Sequence, residues 1–146
     1  MILRKGKAMS RKDARENAFK LLYQVDIQKC GPEEILTTFY SENVVTEEDK
    51  QYIDDVTLGT FKNIEVIDET LAKGIKSWTL NRISKVDKAV LRLALYEILF
   101  REDIPERVSI FEAVELVKKY DSPKAGGFVN GILRGIIRKN EENGEE

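Results

Sequence analysis

Residues 84–99, which read SKVDKAVLRLALYEIL, form the most apolar segment of the chain with helical spacing. Ser84 and Asp87 are typical of a helix start, and the apolar residues that follow leave only a thin polar edge. A helix that is apolar on nearly all sides has to be surrounded by other elements. The sequence therefore predicts that residues 84–99 form the central helix of the protein.

The segments on either side of this helix also place apolar residues at helical spacing, and no strand-like alternation persists. Further helix starts are predicted at capping residues or at a proline in the first turn, namely Ser10, Pro32, Thr46 and Ser109. A last helix is predicted from about residue 127 to residue 139. We expect an all-α fold, a compact bundle of about seven helices in a single domain over 1–146. Residues 1–9 are expected to be a flexible basic arm, and residues 140–146 a disordered acidic tail.

Composition excludes several classes of enzyme. The 146 residues include no histidine and one cysteine, so histidine-dependent triads, cysteine–histidine zinc sites and internal disulfides are excluded. The sequence contains no run of about 18 apolar residues, the length that a helix needs to span a bilayer. We expect a cytoplasmic protein without a membrane segment, a metal or another cofactor, and we assign no catalytic residue.

The net charge of −2 conceals a strong segregation of charge along the chain. Residues 1–20 carry seven basic and two acidic groups, whereas residues 33–69 carry eleven acidic and two basic groups. Residues 70–140 are again basic, with fourteen bases against eight acids. An acidic overall composition is therefore compatible with a face that binds a polyanion.

The basic start of the chain has the pattern of a nucleic-acid-binding segment. Arg11, Lys12 and Arg15 lie in the first turns of a predicted amphipathic helix, after an arm that includes Lys7. Tyr23 lies close to the same helical face and offers a ring on which a base could stack. Taken alone, the segment favours the alternative of a solubilising arm and a core tyrosine.

The glycines of residues 125–131, which read AGGFVNG, invite comparison with a phosphate-binding loop. The stretch lacks the Lys-Ser/Thr ending of such a loop and follows no predicted strand, so it does not indicate nucleotide hydrolysis. Contact with an anion at this helix start remains open, beside the alternative of a tight turn between two helices.

Four stretches of the chain form a set of motifs: RKDAR at 11–15 with Ala18, Leu21, Leu22 and Tyr23; WTLNRI at 78–83 with VDKAVLRLALYE at 86–97; IP at 104–105 with VSIFEAVELVKKY at 108–120; and FVNGIL at 128–133. In these motifs the sequence resembles the NusB transcription antitermination family. Their order and spacing hold from about residue 11 to residue 135. The resemblance implies two packed helical subdomains and no enzymatic activity.

The resemblance further implies the partners. It implies binding to boxA, a short single-stranded element of nascent ribosomal or phage RNA, together with the small-subunit ribosomal protein that acts as NusE, in an antitermination complex on RNA polymerase. Matched to the motifs and to the basic arm, the expected RNA-binding residues are Lys7, Arg11, Lys12, Arg15, Tyr23, Tyr120, Lys124, Phe128 and Asn130. The positions expected to meet the ribosomal protein are Arg82, Asp87 and Arg92.

Two positions depart from the family pattern. Asp13 stands where members often carry arginine, which is compatible with RNA binding if Asp13 caps the first helix. Gly127 stands where a lysine usually precedes the phenylalanine, and Lys124 is a candidate substitute.

Three other functions remain to be weighed. The chain could be a helical adaptor that binds only protein. The same fold occurs as the RNA-binding domain of ribosomal RNA methyltransferases, although 146 residues leave no room for a methyl-donor domain. A helix-turn-helix DNA-binding protein fits the composition generically, but no base-reading recognition helix stands out.

Overall fold

The structure is a computed structural model that describes residues 9–75 and 82–144, the last two of these as backbone only. Within these residues the chain forms seven helices and no strand, so the predicted all-α class is confirmed. The helices are α1 (Arg11–Gln28), α2 (Pro32–Glu42), α3 (Glu47–Lys62), α4 (Ile64–Gly74), α5 (Lys85–Phe100), α6 (Glu106–Tyr120) and α7 (Pro123–Gly144). Lys7 and most of the predicted arm lie outside the described residues.

Side chains cap the starts of several helices as the sequence predicts. The Asp13 N–H donates to Ser10 Oγ at 3.0 Å, and the Ser10 N–H donates to Asp13 Oδ2 at 3.4 Å. This reciprocal capping box satisfies two backbone donors that a helix start leaves open. The predicted starts at Ser10, Pro32 and Ser84 are confirmed.

The helices fall into two units, Met1–Lys62 and Asn63–Glu146. In the first unit, α1 packs against α2 and α3 around side chains that are fully or almost fully buried, among them Ala14, Ala18, Ile53 and Val56. The boundary falls at Asn63, between α3 and α4.

The second unit is organised around α5, which contacts α4, α6 and α7. Leu91 and Leu95 are completely buried, as expected for a central helix. The predicted capping role of Ser109 is wrong, because α6 begins at Glu106 and Ser109 lies inside it. The buried Ser109 hydroxyl donates instead to Oε1 of the fully buried Glu97 at 2.8 Å. A capping sequence and a buried polar pair cannot be distinguished from local spacing alone.

The last helix is longer at both ends than the sequence predicts. It begins at Pro123, whose missing N–H costs nothing in a first turn, and the Ala125 N–H donates to Ser122 Oγ at 3.2 Å. Gly126 and Gly127 are therefore helical and do not form a turn. The helix also continues to Gly144, into the segment expected to be disordered from residue 140.

None of the helices in the described chain combines the length and the apolar character needed to cross a bilayer.

Candidate nucleic-acid interface

The start of α1 presents two basic side chains to solvent. Arg11 and Lys12 are exposed in the first turn, where unpaired N–H groups and the helix dipole favour anions. The Arg11 guanidinium lies 4.3 Å from the centroid of the Tyr52 ring of α3. Asp13 is engaged in the capping box with Ser10, which accounts for an acidic residue at this position.

Arg15 lies one helical turn after Arg11 but is only 4% exposed. Its guanidinium stands 5.9 Å from the centroid of the same Tyr52 ring. The sequence placed both arginines in the first turns of the helix, but local spacing could not show that Arg15 is buried near Tyr52 of α3. The exposed charge at this helix start therefore belongs to Arg11 and Lys12.

Replacement of Arg15 by alanine is expected to destabilise the fold. The change removes the long buried side chain between α1 and α3 and leaves a cavity beside Tyr52, at a cost of about 1 to 3 kcal/mol. Urea denaturation followed by circular dichroism measures this loss. Arg11→Ala, an exposed change beside the same ring, is the matched control and should cost less than about 1 kcal/mol. Equal stabilities of the two variants would contradict a structural role for Arg15.

Tyr23, the expected stacking residue of α1, is half-buried. Its ring contacts that of Phe19 with centroids 6.5 Å apart, and the two planes are tilted by 39°. Part of the Tyr23 side chain thus supports the helix while the remainder is accessible. Its role in stacking remains a prediction.

In the second unit, a cavity of about 350 Å³ brings together residues that the sequence assigned to two different ligands. Lys124 and Phe128 were expected to contact RNA, and Arg82 and Asp87 to contact a protein. All four line this one cavity, at the start of α5 and the start of α7; its other lining residues are Ile83, Ser84, Asp121, Ser122 and Ala125. Lys124 and Arg82 are exposed, whereas Phe128 is half-buried.

Asp87 is the buried acidic group of this cavity, with 6% of its surface exposed. Burial, together with the neighbouring carboxyl group of Asp121, raises the pKa of Asp87 to about 7. A hydrogen bond between the two carboxyl groups requires that they share a proton. One oxygen of Asp87, Oδ1, has no hydrogen-bond partner. Sequence reasoning missed Asp121, because nothing in the local pattern at the end of α6 indicates a partner on α5.

The other residues expected to bind RNA or the ribosomal protein lie in different surroundings. Arg92 donates from Nε and Nη2 to the two carboxylate oxygens of Asp68 at 2.9 and 2.8 Å, and so joins α5 to α4. Because this guanidinium is already engaged within the protein, Arg92 is a weaker candidate for a partner contact than Arg82.

Tyr120 is half-buried, with the Lys119 ammonium 5.3 Å from its ring centroid. Asn130 Oδ1 accepts a hydrogen bond from Arg134 Nε at 3.0 Å.

No site for a metal ion is found in the described part of the chain, where no three histidine, cysteine or acidic side chains cluster suitably. The fold and these surfaces thus define an all-helical protein that offers exposed cations, partly exposed rings and an amide. These are the groups that single-stranded nucleic acid requires.

Comparison with known proteins identifies the family. Residues 12–138 match the NusB family. The transcription antitermination protein NusB of Acetivibrio thermocellus is 49% identical over 130 residues, which are 89% of this chain and 90% of that protein. NusB of T. maritima, in a crystal structure, is 36% identical with a TM-score of 0.83, covering 90% of this chain and 93% of that one.

A second solved structure, of the antitermination factors NusB and NusE in complex with double-stranded RNA, matches with a TM-score of 0.81 and 31% identity. The match covers 88% of this chain and 96% of that one. The chain belongs to the NusB family.

Proposed function

We propose that the protein is a transcription antitermination factor that binds the single-stranded boxA element of nascent ribosomal RNA together with NusE. In this role it supports processive transcription by RNA polymerase and acts as a regulatory RNA-binding protein, without catalysing a reaction. We place this activity in the cytoplasm, where transcription by RNA polymerase takes place in bacteria such as those that contain its relatives.

The observation that carries the proposal is the exposed pair Arg11 and Lys12 in the first turn of α1. Two cations at the positive end of a helix form a site for phosphate groups, and they lie in the motif that resembles the family's RNA-binding segment. Charge at this position supplies affinity for any RNA strand, but little discrimination between sequences.

The second unit offers the groups that could read bases. Phe128 is half-buried with part of its ring accessible, and Lys124 lies one turn before it on α7. The Asn130 carbonyl is held by Arg134, so the amide N–H₂ of Asn130 is the group available to a base edge. A stacking ring and an oriented amide are the usual means of recognising an unpaired base.

The cavity at the start of α5 suggests how RNA and NusE could assist each other. Arg82 and Asp87 on one side and Lys124 and Phe128 on the other line the same space. A protein bound at the first pair would therefore contact or order the surface on which the RNA lies. We expect positive coupling between the two ligands, and by linkage each must tighten the binding of the other by the same factor.

The test is a titration of labelled boxA RNA and a scrambled RNA into the protein, with and without NusE. NusE should tighten the binding of boxA RNA by about 5- to 150-fold, the range of typical coupling energies, and should affect the scrambled RNA less. The reciprocal titration of NusE, with and without boxA RNA, has to return the same factor.

Two results would contradict the proposal. Equal binding of boxA and scrambled RNA in the presence of NusE would exclude boxA recognition. Binding of NusE that is insensitive to salt, with no RNA binding at all, would instead identify a protein-binding adaptor.

A further inference from the structure

A second hollow of the second unit lies between α6 and α7. It has a volume of about 350 Å³. The α6 side presents residues at i, i+4, i+7 and i+11, which share one face of a helix: Arg107, Phe111, Val114 and Lys118. The α7 side presents Pro123, Gly127, Asn130 and Arg134 with the same spacing. We call this surface the α6–α7 groove.

The two stripes run past each other in opposite directions. A Cβ atom added at Gly126 would lie 3.0 Å from Lys118 Cγ and 3.3 Å from Val114 Cγ1, so the start of α7 lies against the end of α6. Eleven residues of helix make each stripe about 16 Å long. Cations therefore occur towards both ends of the groove, with Arg107 and Arg134 in one part and Lys118 in the other.

The middle of the groove is apolar and open. Phe111 is 59% exposed, so much of its side chain is accessible for stacking. Towards the Lys118 end of the groove, a Cβ atom added at Gly127 would touch nothing within 4 Å, so the space beside this part of α7 is open.

The charged side chains that line the groove are all basic, because the lining includes three cations and no carboxylate. Acidic groups lie next to it. Glu115 is 3.7 Å from Lys118, and both of these side chains are partly exposed, where such a pair contributes little. A neighbouring hollow of about 330 Å³ shares Arg107 and Arg134, and its other charged lining residues are Arg138, Glu106 and Glu141.

We propose that the α6–α7 groove binds the nucleotides next to those held at Asn130, with one base stacked on Phe111 and phosphate groups at Arg107, Arg134 and Lys118. The inference rests on the proposed RNA binding and extends it. Asn130 provides the continuity, because it is an expected RNA contact and also lines the groove. The hydrogen bond from Arg134 Nε to Asn130 Oδ1 links the amide that would read a base to a cation that would hold the next phosphate.

An acidic peptide is the alternative occupant, but the groove fits RNA better. A peptide helix needs a continuous apolar channel for its anchoring side chains. Here a single exposed ring lies between cations, and a planar base that carries phosphates on either side complements that arrangement.

The experiment compares a short boxA RNA with the same RNA extended by four nucleotides at either end, using the full chain. Both extended RNAs are tested because the strand can run through the groove in either direction. One extension should tighten binding by about 5- to 100-fold, the effect of one stacked base. Phe111→Leu should abolish this gain, whereas Phe111→Tyr should retain it because the ring is preserved. Both are surface changes that leave the core intact.

The charges are tested separately. Arg107→Gln should reduce the salt dependence of binding for the extended RNA by about 0.7 in slope, the value for one phosphate contact on a single strand. The slope for the short RNA should not change.

The outcomes separate this proposal from the one on which it rests. If the wild-type protein binds the short RNA but neither extension adds affinity, or if the gain survives Phe111→Leu, the groove proposal is overturned and RNA binding stands. If neither RNA length binds, the proposed function fails and this inference fails with it. Binding of an acidic amphipathic peptide that Phe111→Leu abolishes, with extended RNA unaffected, would assign the groove to a protein.

Discussion

Asp87→Asn should make the protein more stable at pH 8, by about 1 to 3 kcal/mol. In the wild type, the buried carboxyl group of Asp87 lies beside that of the exposed Asp121, and Asp87 Oδ1 has no hydrogen-bond partner. An asparagine amide can donate to Asp121 at any pH, which replaces the shared proton and removes the repulsion between like charges. The charge lost from the first turn of α5 costs only about 0.3 to 1 kcal/mol.

The same change should remove a dependence of stability on pH. The pKa of Asp87 is raised from 3.8 to about 7, so between these values the folded protein holds a proton that the unfolded chain has released. Stability of the wild type therefore falls as the pH rises from about 4 to about 7, and the full benefit of the proton is present only below this interval. Chemical denaturation at pH 5, 6, 7 and 8 measures the slope.

Asp121→Asn is the matched variant, because it relieves the same pair from the other side. Both variants should show a flatter pH profile than the wild type. A wild-type stability that stays constant from pH 5 to pH 8, or an Asp87→Asn variant that is less stable than the wild type at pH 8, would contradict the pairing of these two carboxyl groups.

The double variant Arg11→Ala, Lys12→Ala should bind RNA more weakly by an order of magnitude or more at low salt. Each lost contact is a charge-assisted hydrogen bond worth about 1.5 to 3 kcal/mol, and the loss should be similar for boxA and scrambled RNA. The slope of log K against log salt should fall by about 0.7 for each contact removed. Fluorescence anisotropy over a series of salt concentrations gives both quantities.

Lys73→Ala serves as the control for charge alone. Lys73 is 71% exposed and lies 3.3 Å from Glu69 on α4, so its removal changes the net charge without removing a cation from the start of α1. It should leave both affinity and slope nearly unchanged. A slope in the double variant equal to that of the wild type would show that Arg11 and Lys12 do not contact phosphates.

Much of the secondary structure could be predicted from the sequence. The caps at Ser10 and Ser84 and the proline at position 32 are local signals, because they satisfy backbone groups within a few residues. The apolar stretch 84–99 correctly indicated the central helix α5, because it has too few polar residues to form a wide solvent-exposed face. The resemblance to the NusB family depended on the same local stretches and is confirmed.

The same local rules failed where a residue has its partner far away in the chain. Ser109 has the spacing of a helix cap but is paired with Glu97 of the preceding helix. The glycines before Phe128 were interpreted as a possible turn, yet Gly126 lies within α7 and allows the close approach of Lys118. Local spacing describes what a segment can do, while packing selects one of these possibilities.

The candidate site also combines features that follow from local sequence with features that depend on packing between helices. Reading the residues in order is enough to know which of them carry charge, aromatic rings and amides, and which helical face each of them occupies. Packing between helices places Arg15 near Tyr52, brings Asp87 into one cavity with Asp121, and gives the α6–α7 groove cations towards both ends. Helix periodicity acts over four residues, whereas burial and pKa depend on side chains that packing brings close from distant parts of the chain.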